Sequence, residues 1–550
     1  MGCHGSEARA NGVLKIGILE EPKTLNIWLA SDAWSNKVLS MIYQPLFIRE
    51  PDSLKLVPWL ASEEARYHEA SRAFTVRLRE ARWSDGSEFT AEDVAFTGRL
   101  IKSFKVPRFY SNWKFVKDIR VIDKRTVKFI LEEPRAIFLT RTLTTPIVQK
   151  KEWSQIMEGA KGEENPITRL YRRKIDKPTG TGPFVLKSWR EGAFLLMERN
   201  RYFFGQGKQL SGRPLGPHIS GILLKKYGAA DLAILALRKG AIDFFWWAVQ
   251  AGYLDDLRDD PRIKIFPSKK SALYYLGFNL RKKPFDDPHL RHAVAGLVDK
   301  DFIVERILQG YGEKMHSIIP PGNAFWHLPD VPKYGMRLTR KARMRKAYQI
   351  LLRAGYTWKV PPVNAEGKVG LGERVRLPGG RPMEKFRILT PPADYDPLRA
   401  MAGIMIQEWL RMMGMPAYAR PMGFGALTHR VKDRREFDLY VLGYGNLSLD
   451  PDYLRNFFHS AGDKPRGWNT SGYHHARFDD LADQSARAMD RERRRDLVWK
   501  MQAMIMEDIP WLPLYNPKLI EAVRTDRFSG WVPMLGGIGN IWTFCRLKRK

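Results

Sequence analysis

Cysteine is nearly missing from this chain of 550 residues: Cys3 and Cys545, near opposite ends, are the two present. Two thiols cannot form a disulfide framework, and no CxxC or Cys/His spacing of a metal site occurs. No apolar run reaches the roughly eighteen residues that a membrane-spanning helix needs. The HExxH helix, the Walker phosphate loop, the GxSxG elbow and a GxGxxG turn entering a helix are absent too. Gly180-Thr181-Gly182-Pro183 is glycine-rich, but Pro183 has no N–H to offer a phosphate. His474 and His475 are adjacent and therefore point apart, with no third metal ligand near them. Asp450 and Asp452 flank Pro451 as a carboxylate dyad that a hydrolytic site would need, yet two acids around a proline also cap a helix. With no nucleophile, base and orienting group in one place, the chain is not expected to be an enzyme. Neither a cofactor nor a metal is expected.

Positive charge is what the chain has in excess. Lys and Arg number 92 against 60 Asp and Glu, a net charge of +32. Basic clusters lie at Arg169 to Lys177, Arg340 to Lys346, Arg491 to Arg495 and Arg546 to Lys550. Such a surface is drawn to lipid headgroups, wall polymers or nucleic acid, so peripheral membrane contact is one expectation. The basic residues are scattered among the acidic ones, which describes a generally cationic surface and no specific nucleic-acid site. A polyanion-binding protein is the alternative. The start, MGCHGSEARANG, has no apolar signal run, so the chain is cytosolic or a targeting segment is missing ahead of it. Cys3 after Gly2, followed by polar residues, has the look of the front of a bacterial lipoprotein after cleavage, which makes Cys3 the lipidation candidate. Gly2 and Ser6 also fit a myristoylation pattern, and an arbitrary polar start fits as well.

The length implies two or three lobes, and 44% hydrophobic with 12% aromatic residues supply their cores. Phe74, Val76 and Leu78 alternate with Thr75, Arg77 and Arg79, the period of a half-buried strand. Asp85-Gly86 supplies a turn, and Thr90 with Asp93 forms the capping box of a helix carrying Val94, Ala95, Gly98 and Ile101. A strand over 13–19, a helix from Ala229 to Arg238 closed by Gly240, and a strand from Ile242 predict an α/β lobe with a mixed sheet. Past residue 285, helices over 288–298 and 300–309 and one from Thr339 to Gly355 follow. An irregular loop over 360–382, a helix capped by Asp396 with Pro397 in its first turn, and a charged helix over 478–507 complete a second α/β lobe.

Aromatic and amide side chains gather where strands run into loops. Most single aromatics are core residues, but a set at loop mouths lines a cleft for a polar, part-apolar ligand. The ligand candidates are Trp34, Trp246, Trp247, Tyr444, Asn446, Trp468 and Asn469, with Asp450 as the charged member.

The stretch WSDGSEFTAEDVAFT resembles the signature segment of the family 5 extracellular solute-binding proteins, which serve peptide, nickel and related ATP-binding-cassette (ABC) importers. TGTGPFVL, ERNRYFFG, GAIDFFW, FNLRKKPFDDPHLRHAVAGLVDKDFIVERILQGYG, FDLYVLGYGNLSLDPDYL, GWNTSGYHHARFDDL and MQAMIMEDIPWLPLYNPKLI continue the likeness in order over nearly the whole chain. The resemblance implies an α/β, bilobal, periplasmic-binding-protein-like type II fold of the larger, three-part kind. Behind a polar segment 1–12, lobe I would comprise 13–45, 180–272 and 512–550, with an inserted subdomain over 46–179, and lobe II would comprise 273–511. Crossovers near Ser271 to Asn279 and Pro510 to Asn516 would hinge two lobes that close over a solute. The implied function is that of a monomeric substrate-binding subunit on the periplasmic or extracellular side. It would hand a peptide-like or other small polar solute to a membrane permease, with a sugar or oligosaccharide as the alternative cargo. Peptide-binding relatives commonly place an Asp in the loop after the strand that ends here at Gly443-Tyr444. Leu447 stands in its place, and a buried ammonium without a carboxylate would cost several kcal/mol, which puts a standard peptide in doubt.

Overall fold

A computed structural model describes residues 12–159, 165 and 167–550. The chain divides into two compact units, Met1–Ser268 with Leu519–Lys550, and Lys269–Lys518. Cys3 lies outside the described residues.

The first unit is built on a seven-stranded mixed sheet in the order Ile263–Ser268, Leu519–Arg524, Phe244–Phe245, Val13–Ile18, Gly221–Lys226, Phe194–Arg199, Phe184–Arg190. Val13–Ile18 runs parallel to both of its neighbours, and the outer pairs are antiparallel. Its centre is apolar in sequence and in place, with Leu14 and Ile16 fully buried. Leu519–Arg524 returns from the far end of the chain to this sheet, so the unit is discontinuous. Within the segment expected as a subdomain, Arg66–His68, Ala73–Arg77, Thr126–Leu131 and Val116–Asp123 form an antiparallel four-stranded sheet. Phe74, Val76, Val127 and Phe129 fill its inner face, as the period of two requires. The helix Ala91–Ser103 packs on it and starts in a capping box, with the Thr90 N–H donating to the Asp93 carboxylate at 2.9 Å. Gly98 lets that helix sit close, since a Cβ there would stand 2.4 Å from Trp113 and Ile119.

The second unit holds a six-stranded sheet in the order Gly312–Lys314, Trp511–Pro517, Leu273–Phe278, Leu439–Tyr444, Phe386–Thr390, Ala417–Pro421. Its central strands are buried on both faces: Leu276, Phe278, Ile388 and Val441 join one core cluster, and Leu273, Tyr275, Leu389 and Tyr440 the other. That is why they read as continuous apolar runs. The helix Pro397–Met412 starts as its sequence predicts, with Asp396 accepting from the Arg399 N–H at 2.9 Å and Pro397 in the first turn.

Four features differ from the sequence-based expectation. The helix over 478–507 is two helices, Ala476–Arg487 and Arg491–Asp508, because Asp490 caps a new start by accepting from the Arg493 N–H at 2.7 Å. The helix over 300–309 is a short turn, Lys300–Phe302, that widens into π-helix over Ile303–Ile307 before Gly310. The loop over 360–382 contains a strand, Glu373–Arg376, paired with Thr357–Val360. Finally, Leu273–Phe278 and Trp511–Pro517 are not connecting segments: they pair with each other inside the second unit's sheet. The chain changes unit at 268/269 and 518/519 instead.

Candidate functional site

In the first unit, three of the expected residues come together. Asp32 caps the helix Ala33–Ile42, accepting from the Ser35 N–H at 2.8 Å, and so fixes Trp34 in the first turn. Trp246 and Trp247 follow directly on the strand Phe244–Phe245, and the Trp246 N–H donates to the Gly17 carbonyl at 3.1 Å. The Trp34 and Trp247 rings stack at 5.4 Å, and Trp34 meets Trp246 edge-on at 6.4 Å. Trp246 closely approaches the backbone at Gly539, where a Cβ would stand 1.8 Å from its Nε1. Trp34 and Trp246 are buried, while Trp247 is 40% exposed.

The sequence reading missed the cation of this cluster. Lys37, one turn after Trp34, is half-buried and places its Nζ 4.2 Å, 4.6 Å and 5.4 Å from the ring centres of Trp34, Trp246 and Trp247. It donates to the Trp246 carbonyl at 3.0 Å. Desolvation pulls the ammonium down to about 8, against a smaller upward pull from Glu521. Glu521, buried in the strand Leu519–Arg524, accepts from the Ile538 N–H at 2.7 Å, and burial pushes its carboxyl up to about 7. The legible signal was an ammonium three residues after an aromatic on a capped helix.

In the second unit, Tyr444 ends the strand Leu439–Tyr444 and packs face to face with Phe457 at 4.7 Å. Trp468, 47% exposed, lies 6.4 Å from Tyr444, and the Lys432 Nζ sits 3.5 Å over its ring centre. Asn446 is exposed in the loop between them in sequence. Two candidates belong to the scaffold. Asp450 is 1% exposed, and its two oxygens accept from Nη2 and Nη1 of Arg494 at 2.8 Å each, so it is not available as the charged ligand contact. Asn469 is also buried: its amide donates to the Tyr473 carbonyl at 2.8 Å and its oxygen accepts from the N–H groups of Gly472 and Tyr473. It shapes the turn behind Trp468. Leu447 is buried as well, its N–H donating to the Ser271 carbonyl at 2.6 Å. His474, considered above as half of a metal pair, is bonded to Asp463 at 2.8 Å.

Each cluster joins aromatic faces to one ammonium, Lys37 in the first unit and Lys432 in the second. The sequence profile of bacterial extracellular solute-binding proteins, family 5, matches residues 55–465. The chain belongs to that family. Members of it bind solutes and are not enzymes, and this protein is a substrate-binding subunit of an ABC importer. Among curated relatives, the oligopeptide-binding protein AppA of Bacillus subtilis is 27% identical over 92% of this chain and 86% of its own. The dipeptide-binding protein of Escherichia coli is 24% identical over 88% of this chain and 85% of its own. Among solved structures, a periplasmic oligopeptide-binding protein of Thermotoga maritima superposes with a TM-score of 0.78 at 23% identity, covering 98% of this chain and 99% of that one. NikZ of Campylobacter jejuni, solved with Ni(L-His), gives 0.70 at 21% identity, covering 97% and 98%. The family 5 fold is thereby established, in agreement with the bilobal type II expectation. Among the described residues no helix is long and apolar enough to cross a membrane.

Proposed function

We propose that this solute-binding protein captures a peptide-like solute outside the cytoplasmic membrane and delivers it to its permease as a monomer, with Cys3 as the site of a lipid anchor. The observation that carries the cargo class is the platform of Trp34, Trp246 and Trp247, which sets a half-exposed indole beside a cation. A surface of that kind suits a ligand that is polar at one end and apolar along its side. Relatives named for oligopeptides and dipeptides support the same class. Burial of Leu447 and the engagement of Asp450 by Arg494 favour a solute that does not place a free amino terminus in the loop after Tyr444. A polyanion-binding role is the second reading, favoured by the net charge of +32. Native mass spectrometry of the purified protein, followed by a melting screen of tri- to hexapeptides and oligosaccharides, tests the cargo. A solute at 100 times its Kd adds about 2.7 kcal/mol to stability. If oligosaccharides raise the melting temperature and peptides leave it unmoved, the peptide reading is wrong.

A further inference from the structure

Four buried cations of this molecule are matched to carboxylates, Arg494 to Asp450, Arg343 to Asp301, Arg399 to Asp396 and Arg524 to Asp526, while buried Arg291 and Lys300 are held by backbone carbonyls. Lys37 is different. Its ammonium has three N–H bonds to place, and among the described residues it makes one hydrogen bond, to the Trp246 carbonyl, and no ion pair. Indole faces attract a cation but accept no proton and carry no net charge. Glu521, the nearest source of electrostatic relief, spends its carboxylate on the backbone N–H of Ile538 and holds no salt bridge with Lys37. Lys37 as a residue is not fully buried, and the indole stacked on Trp34 is 40% exposed. Solvent therefore reaches the aromatic wall that stands beside this desolvated cation.

We propose that Lys37 receives a carboxylate of the solute, which lays an adjacent apolar or aromatic group on the exposed face of Trp247. The inference rests on the peptide-like reading above and narrows it to solutes with an anionic end. It differs from a purely structural role for Lys37. A structural ammonium, holding the three indoles together, would affect folding and leave the charge preference of the ligand untouched. It also differs from the general attraction of a cationic surface, because replacing Lys37 changes one charge among 92 Lys and Arg.

The test uses the full chain and two libraries of randomised tetrapeptides, one with free carboxyl termini, the other amidated and made without Asp and Glu. Binding is read by native mass spectrometry and by quenching of tryptophan fluorescence. The free-acid library is expected to bind at least about tenfold tighter than the amidated one, the ordinary worth of a partly buried charge pair. In K37M, which keeps the apolar stem, the preference for the free-acid library should be lost, so that the two libraries bind alike. K37R should retain the preference. If K37M fails to fold by circular dichroism, K37Q serves in its place. Equal binding of both libraries to the wild type, or an acid preference that survives in K37M, overturns the assignment. Binding of neither library overturns the peptide reading itself, and the role of Lys37 with it.

Discussion

Removing one partner of the Asp450–Arg494 pair leaves the other charged where almost no water reaches it, since both are at most 3% exposed. An uncompensated buried guanidinium is costly, so Asp450→Ala should lower the unfolding free energy by about 3–5 kcal/mol in urea titrations. Solute affinity, measured on the folded fraction, should stay within about twofold of the wild type. A loss of affinity with stability intact would restore Asp450 to the ligand surface. Glu521 gives a pH dependence of known sign. Its folded pKa of about 7 lies above the ordinary 4.5, so between those values the native state holds a proton that the unfolded chain has released. Stability from this group is therefore full below pH 4.5 and lost as the pH rises to 7, by about 3 kcal/mol. The denaturation midpoint should fall from pH 5 to pH 7.5, and Glu521→Gln should flatten the slope over that window. An unchanged slope in the variant would place the titration elsewhere.

At the scale of elements, what the sequence reveals depends on how local the cause is. The box of Thr90 and Asp93, the Asp396–Pro397 helix start and the closure at Gly240 are local signals, and each stands where the spacing puts it. The break between Ala476–Arg487 and Arg491–Asp508 was also written locally, in Asp490, but the charged residues on either side mask it as one continuous polar face. Replacing Asp490 with Ala should cost about 1 kcal/mol, the ordinary worth of an N-cap, read as a lower denaturation midpoint. No change would mean that packing of the second helix, with Val498 and Met501 buried, sets its start unaided. Non-local pairings were beyond reach. Arg494 meets Asp450 across 44 residues, and Lys37 meets Trp246 across 209. Nothing in either neighbourhood announces the partner. The aromatic platform was legible as a set of residues at loop mouths, whereas its cation was marked only by its three-residue spacing from Trp34, a spacing that an ordinary solvated helix lysine also has. The same limit applies to Asn469, an amide that reads as a ligand contact and is consumed by the turn Gly472–Tyr473.

For the whole molecule, the excess of 92 basic over 60 acidic residues sets up a long-range field that a local site does not share. Exposed charges act over roughly a Debye length, about 10 Å at 0.1 M salt, and added salt screens them. A half-buried pair formed at Lys37 is screened much less. Two salt dependences should therefore separate. Retention on heparin should collapse between 50 and 200 mM salt, because each neutralised anionic group releases counterions. Affinity for a free-acid tetrapeptide should fall by less than about tenfold over the same range, since one ion pair and apolar stacking carry it. Measuring both on one preparation decides between the readings. If peptide affinity falls in parallel with heparin retention, the solute is held by the general cationic surface, and the platform of Trp34, Trp246 and Trp247 is not the binding site. If the two diverge as stated, the surface charge governs where the protein resides and the platform governs what it carries.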